Sequence, residues 1–232
     1  TAQSLGGRSN EEDAFLVVET SPLLLAVADG ARGHADGEKA SQTAIQTLKA
    51  GFTPTACAGA AARPWLTQTI GQAHRRVSAL GDGPTAPRTT IVAALLDGVR
   101  AVVGHVGDSR LYHIRQDTVV FRTRDHSVVQ LLVDMGRLAE NEMLGHPDRS
   151  RLTKALGGRD EVDAEIDEVT IAAGDGFALC SDGVWEFIDP REFAAALRSK
   201  QLNKAAQDLV AQAVSRGGSD ADNATLILAR LR

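Results

Sequence analysis

Cysteine is nearly absent from the 232 residues: Cys57 and Cys180 are the only two, and no CxxC pair exists. A disulfide scaffold and a cysteine zinc cluster are therefore excluded, and a reducing compartment is expected. Basic excess is also missing, with 25 Lys+Arg against 30 Asp+Glu and a net charge of −5. No broad positive field is available, so neither nucleic acid nor an anionic membrane is an expected partner. Apolar runs stop at strand length, as in Ile91 to Leu96, well short of the roughly 18–20 residues that cross a bilayer. The first residues show no basic segment followed by an apolar one, so no signal peptide is read and a cytoplasmic location is expected. Repeats, low-complexity tracts and linkers are lacking as well, which favours one domain over residues 1–232.

What is present is an ordinary globular composition, 43% hydrophobic and 24% charged. Short Val/Ile/Leu-rich runs alternate with helical stretches. Strands are predicted over Asp13 to Glu19, Leu23 to Ala28, Leu111 to Ile114, Thr118 to Arg122, Val162 to Ile171, Phe177 to Ser181 and Ala224 to Leu231. Thr89 to Leu96 and Val99 to Val106 flank Asp97-Gly98 and read as a hairpin. Helices are predicted over Gly37 to Ala50, Arg63 to Leu80, Ser127 to Met135 with Ser127 as N-cap, Pro190 to Lys200 and Asn203 to Val214. Residues 81–87 form a loop, and 138–158 are polar and irregular. Hairpin-linked strands with helices between them argue for an α+β layered sandwich.

The chemistry lies in where certain aspartates stand. Leu24 to Ala28 runs into Asp29-Gly30, and Phe177 to Ser181 runs into Asp182-Gly183. Asp-Gly is first of all a turn, and it recurs at 36, 82, 97 and 175; 97 and 175 suit ordinary hairpins and 82 a loop. Asp29 and Asp182 differ because each ends a strand apolar enough to be buried, where an uncompensated charge costs several kcal/mol. Glu11-Glu12-Asp13 opens the first strand and Asp222-Asn223 the last. Gathered carboxylates repel, and hard divalent cations such as Mg²⁺ or Mn²⁺ relieve that conflict with oxygen ligands alone. No His or Cys cluster at zinc spacing competes with this reading.

Several segments, in this order, resemble the small bacterial members of the PPM/PP2C family of metal-dependent protein serine/threonine phosphatases. Arg8-Ser9-Asn10-Glu11-Glu12-Asp13 resembles the family's R-x-x-x-E-D opening, and Val27-Ala28-Asp29-Gly30-Ala31-Arg32-Gly33-His34, followed by Gly37-Glu38-Lys39-Ala40-Ser41, its bacterial VADG block. Thr89-Thr90, Val106-Gly107-Asp108-Ser109-Arg110, Asp125-His126-Ser127, Leu179-Cys180-Ser181-Asp182-Gly183 and Asp222-Asn223-Ala224-Thr225 complete the series.

The resemblance implies a four-layer α-β-β-α sandwich with two packed antiparallel sheets and two divalent metal ions, Mn²⁺ or Mg²⁺, at one end. Asp29 would bridge the ions, the Gly30 carbonyl would bind the first, and Asp182 and Asp222 the second. Glu12 and Asp13 would hold metal-bound waters or reach the first ion. A third, weaker ion would lie between Asp108 and Asp182. A hydroxide bridging the two ions would attack phosphorus in line, with Arg8 on the phosphoryl oxygens. Some eukaryotic relatives have histidine after the Asp-Gly; Ala31 stands here, so a metal-bound water is the expected proton donor.

His34 matches a recurrent bacterial histidine without an assigned role, and His126 is expected to cap or order the helix that follows it. His74, His105, His113 and His146 are read as structural. Two departures stand out: Arg88 where relatives usually have glycine, expected to alter a turn without touching the metals, and Glu11 where many have Asn, expected to be tolerated. Residues 138–158 align with the family's flap and are expected to tune access without supplying catalytic groups.

Expected partners are phosphorylated proteins made by an opposing Ser/Thr kinase, acted on by a monomer. The competing readings are a non-catalytic module of the same fold and a metallo-hydrolase of small phosphoesters. Neither cysteine is expected to be a tyrosine-phosphatase nucleophile.

Overall fold

Most central strands are apolar on both faces, so each must be covered on both sides. In the computed structural model, which describes residues 1–31, 36–159 and 161–231, the two sets of alternating side chains go to different cores. Strand β1 spans Ala2–Ser4, β2 Asp13–Val18, β3 Leu23–Asp29, β4 Ile91–Asp97 and β5 Arg100–Val106. Strand β6 spans Arg110–Arg115, β7 Thr118–Arg122, β8 Glu165–Thr170, β9 Gly176–Cys180 and β10 Ala224–Arg230. They form two antiparallel five-stranded sheets, ordered β1-β10-β9-β6-β7 and β2-β3-β4-β5-β8.

Leu25 and Val27 of β3, with Val92, Ala94 and Leu96 of β4, face the other sheet and meet Phe177, Leu179 and Ile227. Their neighbours Leu24, Ala26, Ala28, Ile91, Ala93 and Leu95 face outward onto helices α1 (Gly37–Gly51) and α2 (Ala62–Ser78). On the other sheet Ala178, Cys180, Leu226 and Leu228 pack under α4 (Asp182–Trp185), α5 (Pro190–Leu197) and α6 (Leu202–Gly217). The result is the expected α-β-β-α sandwich. Each buried Leu, Ile or Val contributes on the order of 1.5–3 kcal/mol, and the period-2 alternation forces three cores where one sheet would need two.

Helix α3 (Val128–Asp134) begins as predicted, with the Ser127 Oγ accepting from the Gln130 N–H at 3.2 Å. The strand β1 and the one-turn helix α4 are additions too short for periodicity to reveal. In the β4–β5 hairpin Asp97 pairs with Arg100, so the loop residues are Gly98 and Val99, with Gly98 at φ +63°. Asp175 does not join hairpin partners: β8 and β9 lie in different sheets. Instead its buried carboxylate accepts from Arg115 Nε and Nη2 at 2.8 and 2.7 Å and contacts His113 Nε2 at 2.8 Å. No helix among the described residues is long and apolar enough to cross a membrane.

The register brings several strand ends to one edge of the sandwich. Asp13 pairs with Asp29, Ile91 with Val106, Leu226 and Arg110 each with Cys180, and Ser4 with Ala224. The first residues of β2, β4, β6 and β10 therefore lie beside the last residues of β1, β3, β5 and β9.

Candidate active site and metal centre

At that shared edge Asp29, Asp108, Asp182 and Asp222 line one pocket of about 270 Å³, together with Ala31, Arg88, Thr90, Ser150, Arg151, Leu152 and Ala155. Asp29 ends β3, Asp108 follows β5, Asp182 opens α4 after β9, and Asp222 precedes β10. Four separate chain passages thus deliver one carboxylate each.

The backbone under Asp29 is held from three directions. Its N–H donates to Thr90 Oγ1 at 3.0 Å, while its carbonyl accepts from the Thr90 N–H and from Thr89 Oγ1, both at 2.8 Å. Thr90 Oγ1 also lies 2.7 Å from Ser109 Oγ, tying the Asp108 turn to the same point. The glycines after Asp29 and Asp182 are required by packing. A Cβ on Gly30 would stand 2.6 Å from the Gly37 carbonyl group, and one on Gly183 would stand 2.2 Å from the Asn223 carbonyl oxygen. Gly98, with nothing within 4 Å, is by contrast a turn glycine.

Asp13 is buried beneath this cluster. Its Oδ2 accepts from Ser181 Oγ at 2.6 Å, and Ser181 Oγ accepts from the Thr225 N–H at 3.0 Å. Its Oδ1 is buried without a hydrogen-bond partner. The Glu12 carboxylate packs against Gly37, whose Cβ would lie 3.1 Å from the Glu12 carboxyl carbon. Asn223 pins that loop. It accepts from the Glu12 N–H at 2.8 Å and donates to the carbonyls of Leu5 and Asn10 at 3.1 and 3.0 Å. Arg8 is not among the pocket-lining residues; its Nε donates to Asp222 Oδ1 at 2.9 Å. His34 lies outside the described residues.

The electrostatics are those of crowded anions. Burial, and then the Asp182, Asp13, Asp108 and Asp222 carboxylates, hold the Asp29 carboxyl well above the ordinary range. Burial, then Asp182 and Asp125, do the same to Asp108, with Arg110 opposing. Asp13 is raised by burial and by Asp182 and Glu11, against the Ser181 hydrogen bond. Burial, with Asp222 and Glu38, raises Glu12, and burial pushes Glu11 up to about 7.

An all-oxygen donor set, mutually raised acids and an orphaned Asp13 oxygen fit hard divalent cations, which replace the retained protons with fixed positive charge. The residues present accommodate the expected metal centre.

Other motif residues act on the scaffold. Asp125 accepts from Arg110 Nε and Nη2 at 2.8 and 2.6 Å, and that guanidinium stacks 3.5 Å over Trp185. Trp185 Nε1 in turn donates to the Asp108 carbonyl at 2.9 Å. His126 does not cap the helix. Its Nδ1 accepts from the Gly107 N–H at 3.1 Å, so it orders the turn before Asp108. Burial, His105 and Lys154 push its imidazole down to about 4.

His126, His105 and Glu165 lie close enough to suggest a metal site, but the two rings stack in parallel at 4.7 Å. In-plane lone pairs on parallel rings do not converge on one ion at the usual ~2.1 Å.

One motif had been overlooked in the sequence. Cys57 and Arg63 stand at the C-x₅-R spacing of cysteine phosphatases. Cys57 is buried with its thiol raised by burial, and Arg63 donates to the Ile166 carbonyl. No activated thiolate results.

Sequence reasoning also missed Arg88 and Arg151. Their presence in the pocket depends on long-range bridges, Thr89 to Leu156 and Ser127 to Leu152. Both line the pocket wall, Arg151 from the 138–158 segment.

A profile of the protein phosphatase 2C family matches residues 5–216. The chain is 35% identical over 228 residues to the serine/threonine protein phosphatase PstP of Mycobacterium tuberculosis, covering 96% of this chain and 42% of that protein. It is 31% identical over 230 residues to the serine/threonine phosphatase stp of Listeria innocua, covering 95% of this chain and 90% of the relative. The solved catalytic domain of PstP in complex with two manganese ions superposes with a TM-score of 0.82 at 31% identity, over 99% of this chain and 96% of that one. Two layered antiparallel sheets, a carboxylate pocket at their common edge and similarity running almost end to end lead to one assignment: the chain belongs to the protein phosphatase 2C family of metal-dependent serine/threonine phosphatases.

Proposed function

We propose that the chain hydrolyses phosphoserine and phosphothreonine in proteins, using two divalent ions, Mn²⁺ or Mg²⁺, held by Asp29, Asp182, Asp222 and the Gly30 carbonyl. Glu12 and Asp13 assist, and Asp108 with Asp182 supplies a third, weaker site. The observation that carries this reading is the convergence of Asp29, Asp108, Asp182 and Asp222 on one pocket.

When bound, such ions neutralise phosphoryl oxygens and acidify water enough to supply a nucleophile at neutral pH. The chain's own contribution is position and charge. Thr89, Thr90 and Ser109 fix Asp29 and the Asp108 turn, so little reorganisation accompanies loading. Arg8, held by Asp222, supplies a guanidinium for the phosphoryl group and keeps the Asp222 carboxylate oriented. Ala31 lines the pocket and has no proton to give, so the departing serine or threonine oxygen takes its proton from water. Leu152 and Ala155 form the apolar part of the pocket wall on the 138–158 side.

The proposed substrates are the products of an opposing Ser/Thr kinase, acted on by a monomer in the cytoplasm, where the two unpaired cysteines are at home. The test compares Mn²⁺-dependent turnover of a phosphothreonine peptide with that of sugar phosphates. Faster turnover of the peptide, abolished by chelator, is expected. Preference for sugar phosphates would favour a small-molecule hydrolase, and inactivity on both would favour a binding module.

A further inference from the structure

We infer that Arg88 is a phosphate-contacting residue of this active site, a role that rests on the phosphatase reading above. Its main chain is fixed on both sides. The Arg88 carbonyl accepts from the Ala31 N–H at 2.9 Å, two residues beyond Asp29, and the adjoining Thr89 exchanges hydrogen bonds with Leu156 at 3.1 and 2.8 Å. The residue lies between two hollows, in the wall of the pocket that holds the four aspartates and in that of the neighbouring cleft lined by Lys154, Gly158 and Arg159.

Space for it is made by two glycines in the left-handed region, Gly157 at φ +97° and Gly158 at φ +85°. A Cβ on Gly158 would come within 3.3 Å of the guanidinium, and one on Gly157 within 2.4 Å of the Pro87 carbonyl oxygen. The peptide passes flat against the arginine only because neither position carries a side chain.

The guanidinium is also held in reserve. Among the described residues it makes no ion pair, although four aspartates share its pocket, and its Nε is buried without a hydrogen-bond partner. The other arginines nearby are differently placed: Arg8 is bound to Asp222 and Arg110 to Asp125, while Arg151 is exposed. The Nε is covered by protein, so a ligand in the pocket meets this guanidinium through its Nη atoms. The ligand this pocket admits is a phosphoryl group, and the planar fork of arginine matches two phosphoryl oxygens at once. Arg88 therefore supplies a phosphate contact beside the four aspartates.

The test uses the full chain loaded with Mn²⁺, in wild-type, Arg88→Gly, Arg88→Gln and Arg88→Lys forms. Binding of inorganic phosphate is measured by calorimetry, and kinetics are measured on p-nitrophenyl phosphate and a phosphothreonine peptide. Arg88→Gly is expected to weaken phosphate binding by about tenfold to a hundredfold and to raise KM for both substrates comparably. Arg88→Lys should recover part of the loss, and Mn²⁺ binding should not change. Should the glycine variant fail to fold, Arg88→Gln keeps the stem and gives the same reading.

Phosphate binding equal to wild type would overturn the inference. So would a loss confined to the peptide, which would mean that Arg88 reads the polypeptide. If the wild type turns over neither substrate, the phosphatase reading fails by itself, and the calorimetric arm still decides Arg88.

Discussion

Asn223 offers a sharp test of how the metal edge is assembled. Its buried side chain makes three hydrogen bonds, at 2.8 Å with the Glu12 N–H, 3.1 Å with the Leu5 carbonyl and 3.0 Å with the Asn10 carbonyl. All three hold the loop bearing Arg8, Glu11 and Glu12 against the segment that carries Asp222 into β10. Replacing Asn223 with Ala removes them together. At about 1 kcal/mol each the loss is roughly 3 kcal/mol, which for a chain of this size lowers Tm by about 6–12 °C.

Asn223→Asp should be worse in chelator. The new carboxylate can still accept from Glu12 but cannot donate to either carbonyl, and it adds an anion beside Asp222. Thermal melts in chelator check the first effect. Manganese titration checks the second, an expected 10- to 100-fold loss of affinity of the kind that follows loss of groups orienting metal ligands (roughly that range). A melting change under about 2 °C for Asn223→Ala, with unchanged manganese affinity, would refute the clamp.

Three further expectations follow from the same geometry. Gly183→Ala places a Cβ 2.2 Å from the Asn223 carbonyl oxygen and should abolish activity or folding, whereas Gly98→Ala, in an open turn, should cost only about 1–2 kcal/mol; melting and turnover compare them. Asp29→Asn should stabilise the metal-free protein. Its raised carboxyl binds a proton more tightly when folded, so that stability is complete below about pH 4 and lost as pH rises through the folded value. In chelator the variant should melt above wild type at pH 8 and match it near pH 4, with the order reversed by Mn²⁺; a wild type more stable at pH 8 without metal would contradict this. Asp175→Ala should cost about 1–3 kcal/mol in urea unfolding, because it leaves the buried His113 ring without its partner, while exposed Arg115 is resolvated. Asp175 is held below the usual range, foremost by Arg115, so wild-type stability should fall with acid below about pH 4 while the variant's responds less.

Much of this arrangement was readable from residue order. Short apolar runs such as Leu23 to Ala28, linked as hairpins with helices between them, identify the strands of a layered sandwich. The same runs separate Asp29 and Asp182 from Asp97, because a carboxylate ending a doubly buried strand needs compensation and one in a hairpin does not. What adjacency cannot encode is the meeting of distant main chains. Gly30 and Gly183 read as turn glycines, yet their requirement comes from the Gly37 and Asn223 carbonyl groups.

Asp175 looked like a hairpin for the same reason: only the assignment of β8 and β9 to different sheets shows it as the partner of Arg115 and His113. Arg88 and Arg151 were invisible as pocket residues because the bridge from Thr89 to Leu156 spans most of the chain's middle third. The contact of Arg8 with Asp222 was likewise illegible, being a pairing between opposite ends of the polypeptide.

Titrating Mn²⁺ into the metal-free chain, wild type beside Asp182→Asn, addresses the core of the account most directly. Two ions per wild-type chain are expected, with a third bound more weakly. The variant should lose affinity by more than the roughly 10- to 100-fold that outer partners are worth. Identical stoichiometry and affinity in the two proteins would mean that these aspartates share a pocket without sharing a metal.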